Sequence, residues 1–175
     1  MRSAKRASIM VTVPPHLLAM IEASIDGGPG DLGEELFLVI SRLTPLVNVD
    51  LFIQNRSGRT LLTWREDEYF GAGWHIPGGI IRYKETAADR LRKCAREELN
   101  AEISFEAAPM MISETIREQQ DRGHLISMLY RCRLESPLDE AQRATTDAPV
   151  PGAWRWHDVA PPNLLEVQRH YSRLF

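Results

Sequence analysis

The chain has 175 residues, enough for one domain with a sizeable core and a short extension. Its apolar content of 43% and charged content of 26% are ordinary for a soluble domain, and no apolar run reaches the length of a membrane span. A net charge of −3, from 21 basic and 24 acidic residues, gives no electrostatic case for binding nucleic acid or an anionic membrane surface.

The opening MRSAKRASIMVTVPPHLL mimics a basic leader, but its apolar run is only Ile9 to Val13 and Pro14-Pro15 breaks it, so no signal peptide is expected. Residues 8–13 read as a short strand, and Pro14-Pro15 opens a helix through HLLAMIEASI. Asp26-Gly27-Gly28-Pro29-Gly30 is a break. Residues 1–30 are therefore expected to be an extension, a dimer arm or an edge cover, and residues 31–175 the main domain. Asp31 is expected to cap a helix through Arg42, with Leu36, Val39, Ile40 and Leu43 on its stripe.

Leu46 to Gln54 and Arg59 to Arg65 read as strands joined by the turn Asn55-Arg56-Ser57-Gly58, followed by a polar loop over 66–73. Strand, glycine turn and helix follow in WHIPGGIIRYKETAADRLRKCAREELNA, residues 74–101. Ala101 to Phe105 starts another strand. Met110 to Glu118 and Gly123 to Leu134 form a strand pair across Gln119 to Arg122. A long loop over 135–152 precedes a last strand, Ala153 to His157. Asn163 is expected to cap a final helix carrying Leu164, Val167, Tyr171 and Leu174. Mixed strands with helices on both sides predict an α/β sandwich. Cys94 and Cys132 stand in no metal or redox spacing, so two free thiols of a reducing, cytoplasmic compartment are expected.

The chemistry concentrates in the 74–101 stretch. Pro77-Gly78-Gly79 turns the backbone tightly and leaves a carbonyl unscreened by a side chain. The helix from Thr86 to Leu99 carries Glu97 and Glu98 on its open side, with Ala88, Leu91, Ala95 and Leu99 facing the core and Asn100 closing it. Hard cations take such carboxylate and carbonyl oxygens. Lys93 is placed to pair with Glu97 or Glu85, and Glu85 is better read as its partner than as a metal ligand. Asp50 lies mid-strand among apolar residues, where a buried acid needs a partner. Trp64 faces away from Arg65, and Trp154 and Trp156 share a core face. Tyr69 and Phe70 form a lid over the sheet or a surface for a base. His124 reads as structural, and His75, beside Trp74, is a weaker candidate for either a structural or a catalytic role.

Gly79, Glu85, Glu97 and Glu98 resemble the Nudix box, G-x5-E-x7-R-E-U-x-E-E-x-G-U. Lys93 stands at its Arg, Cys94 at a Glu, Asn100 at its last Gly and Ala101 at the final U. Thr44-Pro45-Leu46-Val47, Val49-Asp50, Ser57-Gly58, Leu61-Leu62, Arg65, Gly73-Trp74 and the strand from His124 extend a similarity to GDP-mannose mannosyl hydrolases over residues 32–160. That branch has lost the Glu that Cys94 replaces.

The resemblance implies a Nudix α/β/α sandwich with a mixed sheet. It also implies Mg²⁺, with Mn²⁺ as the alternative, a nucleotide-sugar substrate, a homodimer, and sugar C–O cleavage releasing GDP. Gly78, Glu97 and Glu98 match metal ligands. Arg65, Asp50, Lys93 and His124 are the expected substrate contacts, with Glu98, Glu97, Arg65 and Asp50 expected to carry catalysis. Ile80 replaces an Arg of the branch, and Val150-Pro151 a Gln-His pair. Asp139, Glu140 and Asp147 are the candidate replacements for the lost ligand and base. P–O cleavage of a nucleoside diphosphate derivative and a catalytically weakened binding domain are the alternatives.

Overall fold

Side chains alternate across a strand, so one central strand can feed two cores. In the computed structural model, which describes residues 13–25 and 33–175, that strand is β1 (Leu46–Ile53). Val49, Leu51 and Ile53 enter one core, while Phe52 enters the other. β1 pairs in parallel with β7 (His124–Leu134) and antiparallel with β4 (Gly78–Ile80). β5 (Ile103–Phe105) and β6 (Met111–Ile116) pair antiparallel with successive parts of β7. A second, antiparallel sheet sets β3 (Gly71–His75) and β8 (Trp154–His157) on either side of β2 (Thr60–Asp67).

Three helices precede or interrupt these strands: α1 (Pro15–Ile25), α2 (Glu34–Ser41) and α3 (Ala87–Leu99). α3 buries Leu91, Cys94, Ala95 and Leu99 against Val49, Leu51 and Leu61 in the first core. The second core joins Phe52, Leu62, Trp74, Ile76 and Leu129 to Leu164 and Tyr171 of the C-terminal segment. The result is the mixed-sheet α/β/α sandwich expected from the sequence.

Local signals placed α3 well. Thr86 caps it by accepting from the Asp89 N–H at 3.1 Å. Asn100 closes it in the left-handed conformation at φ 48°, as expected for that residue. The expected face is buried at Leu91, Ala95 and Leu99, and it is wider than expected. Arg90 and Cys94 are buried, while Ala88 is half-buried.

Other expectations are corrected by tertiary contacts. On α2 the buried residues are Phe37 and Ser41, whereas Val39 and Leu43 are exposed. The expected cap, Asp31, and residues 8–12 of the expected first strand lie outside the described residues. Residues 66–73 are not one loop, because β2 runs to Asp67 and β3 begins at Gly71. Asn163 caps no helix. Its carbonyl instead accepts the Trp74 N–H at 3.0 Å, drawing 163–165 alongside β3. The last helix is a 3₁₀ segment, Glu166–Leu174, without a side-chain cap.

Candidate functional site

The glycine turn and α3 meet where no side chain fits between them. A Cβ on Gly78 would stand 2.3 Å from the Val49 carbonyl and 2.6 Å from an Asp50 carboxylate oxygen. A Cβ on Gly79 would stand 2.7 Å from the Cys94 sulfur. This close approach aims the Gly78 N–H at Glu98, which accepts it on Oε1 at 3.0 Å. The Thr63 hydroxyl donates to Oε2 at 3.1 Å, and His75 Nε2 lies 3.5 Å from the same oxygen. Glu98 is thus built into the floor of a groove that Glu97, Arg65, Asp67 and Gln142 also line.

The proton count in this floor is informative. His75 is buried, and burial together with the Arg65 charge lowers its pKa to about 3, so the ring is neutral. Its Nδ1 faces the Ile76 carbonyl at 3.0 Å, which assigns the ring proton there and leaves Nε2 as an acceptor. The single Thr63 proton then cannot serve both Glu98 Oε2 and His75 Nε2, which is 3.0 Å away. A proton on Glu98 satisfies both. Burial accordingly raises Glu98 to about 7, against the opposing effects of the Gly78 N–H, the Thr63 hydroxyl and Arg65.

Glu97 is one residue away and in a different environment. Its side chain is 56% exposed and lies 3.8 Å from Lys93. Lys93 therefore pairs with Glu97 on the outer face and does not reach Glu85. The partner of Glu85 is Arg90, at 2.6 Å, which the sequence reading missed. Arg90 is buried at helical spacing from Cys94, beneath Gly79. Its position on the buried stripe of α3 was the available signal. Cys94 is buried, and desolvation pushes its thiol up to about 12, so it stays protonated and packs.

A cavity of about 230 Å³ adjoins the groove, with Arg65 and His75 lining both. Asp50 lies in its wall, 2% exposed. The Tyr171 hydroxyl donates to Asp50 Oδ2 at 2.7 Å, and Gln168 and Asn48 amides lie 3.3 Å from Oδ1. Burial raises Asp50 to about 6 despite these donors. Arg65 is ion-paired to Asp67 and lies over the Phe70 ring at 5.5 Å. Asp67 Oδ1 in turn accepts the Tyr69 and Phe70 N–H groups, so it fixes both that loop and Arg65. Ile80 leaves no cation at its own position, yet Arg82, Arg90 and Arg122 line the same cavity.

Other expected residues lie elsewhere. His124 does not line the cavity; it bonds Glu114 at 2.9 Å on the outer side of β7. Asp139 caps a 3₁₀ turn, Glu140 faces Arg143 at 3.4 Å, and Asp147 faces Arg155 at 3.6 Å. None of the three lines the groove, which Gln142 of the same loop reaches instead. Among the described residues no helix is long and apolar enough to cross a membrane.

Comparison with known proteins agrees with this geometry. Over 63 residues the chain is 41% identical to the low-salt glycan biosynthesis protein Agl8 of Haloferax volcanii. That match covers 36% of this chain and 40% of the relative. A MutT NUDIX hydrolase from Burkholderia pseudomallei superposes with a TM-score of 0.54 at 22% identity, covering 75% of this chain and 95% of that one. A UDP-X diphosphatase superposes with a TM-score of 0.55 at 16% identity, covering 91% and 75%. The family model described as the NUDIX domain matches residues 44–175. With three quarters of its length inside that match and the glycine turn seated on the acidic helix, the chain belongs to the NUDIX family of hydrolases.

Proposed function

We propose that the chain hydrolyses a nucleoside diphosphate sugar of the GDP-mannose or GDP-glucose type at the groove of Glu98, cleaving the sugar C–O bond and releasing the diphosphate as a unit. The observation that carries this reading is the sparse carboxylate set. The box position at 94 holds a buried thiol, Glu85 is taken by Arg90, and only Glu98 is built into the groove floor. A leaving diphosphate asks less of such a set than attack at phosphorus does. The Haloferax volcanii relative is named for glycan biosynthesis, chemistry that consumes activated sugars, and this favours a sugar-bearing substrate.

NUDIX hydrolases generally use divalent cations. Among the described residues no group of three His, Cys, Asp or Glu side chains is placed to hold one. Magnesium needs no such cage, since one or two carboxylates and the substrate's phosphates commonly complete its shell. Glu98, the Gly78 carbonyl and Glu97 offer hard oxygen donors, and the unmet demand for a proton at Glu98 is a place for positive charge. The residues therefore fit Mg²⁺, with Mn²⁺ as the alternative. When bound, the cation would lower the basicity of the departing diphosphate.

The chain's own groups supply the remainder. Arg65, held by Asp67 and Phe70, presents a fixed cation to the diphosphate. Glu97, exposed on the rim, is a second oxygen donor beside Glu98 and stands outside the floor. Asp50 keeps the Gly78 wall in place through Tyr171 and Gln168. Lys93 enters only through its pair with Glu97, and His124 has no part. α2 belongs to the catalytic domain by packing, which leaves residues 1–30 as the extension; a homodimer is part of the proposal.

Hydrolysis of GDP-mannose in ¹⁸O-water with Mg²⁺ tests this. Label in the free sugar is expected. Label in a phosphate establishes the second reading, P–O cleavage, which the shared groove of Glu97 and Glu98 favours. Binding without turnover across a nucleotide-sugar panel overturns both.

A further inference from the structure

Beside the cavity, separate segments of the chain meet. α2 brings Phe37, the β2–β3 turn brings Tyr69, the segment after β4 brings Arg82, and the β6–β7 turn brings Arg122. The Arg122 guanidinium lies 4.1 Å from the centre of the Tyr69 ring and 5.0 Å from that of Phe37. Arg82 lies 4.8 Å from the same Phe37 ring. Both guanidinium groups are thus packed on one ring.

Arg122 has capacity for such an anion. Its Nε is buried with no hydrogen-bond partner among the described residues. Glu34, the neighbouring carboxylate, stands 4.0 Å away, is exposed, and accepts the Tyr69 hydroxyl at 3.2 Å. A buried N–H without an acceptor is costly, so native structures rarely keep one without reason. The support is also deliberate. Arg42 pairs with Asp121 at 2.5 Å, and Ser41 Oγ accepts the backbone N–H of Arg122 at 3.1 Å, tying α2 to this turn.

We propose that Arg122, packed by Tyr69 and Phe37 with Arg82 alongside, is an oxyanion subsite. It takes a phosphate or carboxylate that the substrate carries in addition to its diphosphate, on either the sugar or the nucleoside, so a nucleoside diphosphate sugar bearing such a group is bound in preference to neutral GDP-mannose or GDP-glucose. The inference rests on the proposed function only in placing the diphosphate beside Arg65. Arg65 lines both groove and cavity, whereas Glu98 lines the groove and Arg122 the cavity. The planar guanidinium fork matches both oxyanions, and the rings hold it oriented before binding.

Titration calorimetry in metal-free buffer with EDTA tests this on the whole chain. Two ligand pairs separate the sources: UDP-glucose against UDP-glucuronate for a carboxylate, and ADP-ribose against ADP-ribose 2′-phosphate for a phosphate. In at least one pair the more charged member should bind about tenfold tighter or better, the scale of a hydrogen bond to a charged group. Arg122 has φ 53°, a conformation Asn tolerates, so Arg122→Asn removes the charge and keeps the turn. That variant should lose the preference while the uncharged member's affinity stays within about twofold. Phe37→Leu, which loosens the guanidinium without removing it, should reduce the preference in part. Absence of preference in both pairs, or equal weakening of both members by Arg122→Asn, overturns the proposal. Retained preference without sugar release overturns the reaction and leaves the subsite standing.

Discussion

The groove of Glu98 and the mouth of Arg122 are built in opposite ways. The groove is made by short-range geometry. A glycine turn packs on a helix, and a backbone N–H holds one carboxylate at 3.0 Å. The mouth is assembled by side chains from α2 and three later segments, and α2 precedes the residues that the family model matches. One end is therefore intolerant of change at the backbone, since a Cβ on Gly78 has nowhere to go. The other is a set of arginines on rings, one of which, Phe37, is buried against Leu46 and Leu125 of the sheet. On the proposed reading, the chemistry is fixed at the groove and selectivity is set at the Arg122 cluster.

The strongest way to break this contrast is to attack the packing behind the groove. Arg90→Ala leaves Glu85 without its buried partner and should cost about 3–5 kcal/mol. A denaturant midpoint reads the loss, and a change below about 1 kcal/mol shows that the pair does not hold the turn on α3. Next, Glu98→Gln should lower kcat at least about 100-fold, whereas Glu97→Gln should cost about tenfold or less. Equal losses in the two variants erase the distinction between floor and rim.

Asp50 joins the two ends, and its titration sharpens the comparison. Burial raises it to about 6 from 3.8, so between about pH 4 and 6 the folded chain keeps a proton that the unfolded chain has released. Its contribution to stability is present below that window and is lost as pH rises through it. The Tm of wild type relative to Asp50→Asn should therefore fall from pH 4 to 6 and level off above about 7. His75, lowered to about 3 by burial, acts in the opposite direction but is common to both proteins. A difference that is flat or grows with pH defeats the assignment. The smallest effect belongs to Lys93→Ala, whose exposed pair with Glu97 should contribute under about 0.5 kcal/mol in the same unfolding measurement.

Much of the groove was legible in the amino-acid order. Gly79, Glu85, Glu97 and Glu98 stand at informative spacings, and the Thr86 to Asn100 helix obeys signals that act within a few residues. Capping, left-handed closure and strand alternation are local preferences, so one stretch of chain is enough to express them. The strands 46–54, 59–65 and 123–134 followed from the same rule. What local order does not contain is partner choice. Lys93 and Arg90 are both cations on α3, and only the rotation of the helix against the glycine turn gives Glu85 to Arg90. Glu97 and Glu98 are adjacent, yet packing sends one to solvent and the other to Thr63 and Gly78. Asp50 meets Tyr171 across 121 residues, and Phe37 meets Arg122 only because α2 docks on a distant turn. The sequence alone determined the box, its helix and the class of fold, because short-range backbone physics decides those. The tertiary structure alone decided which charges are buried, paired or left open to a ligand, because burial depends on which faces the whole chain brings together.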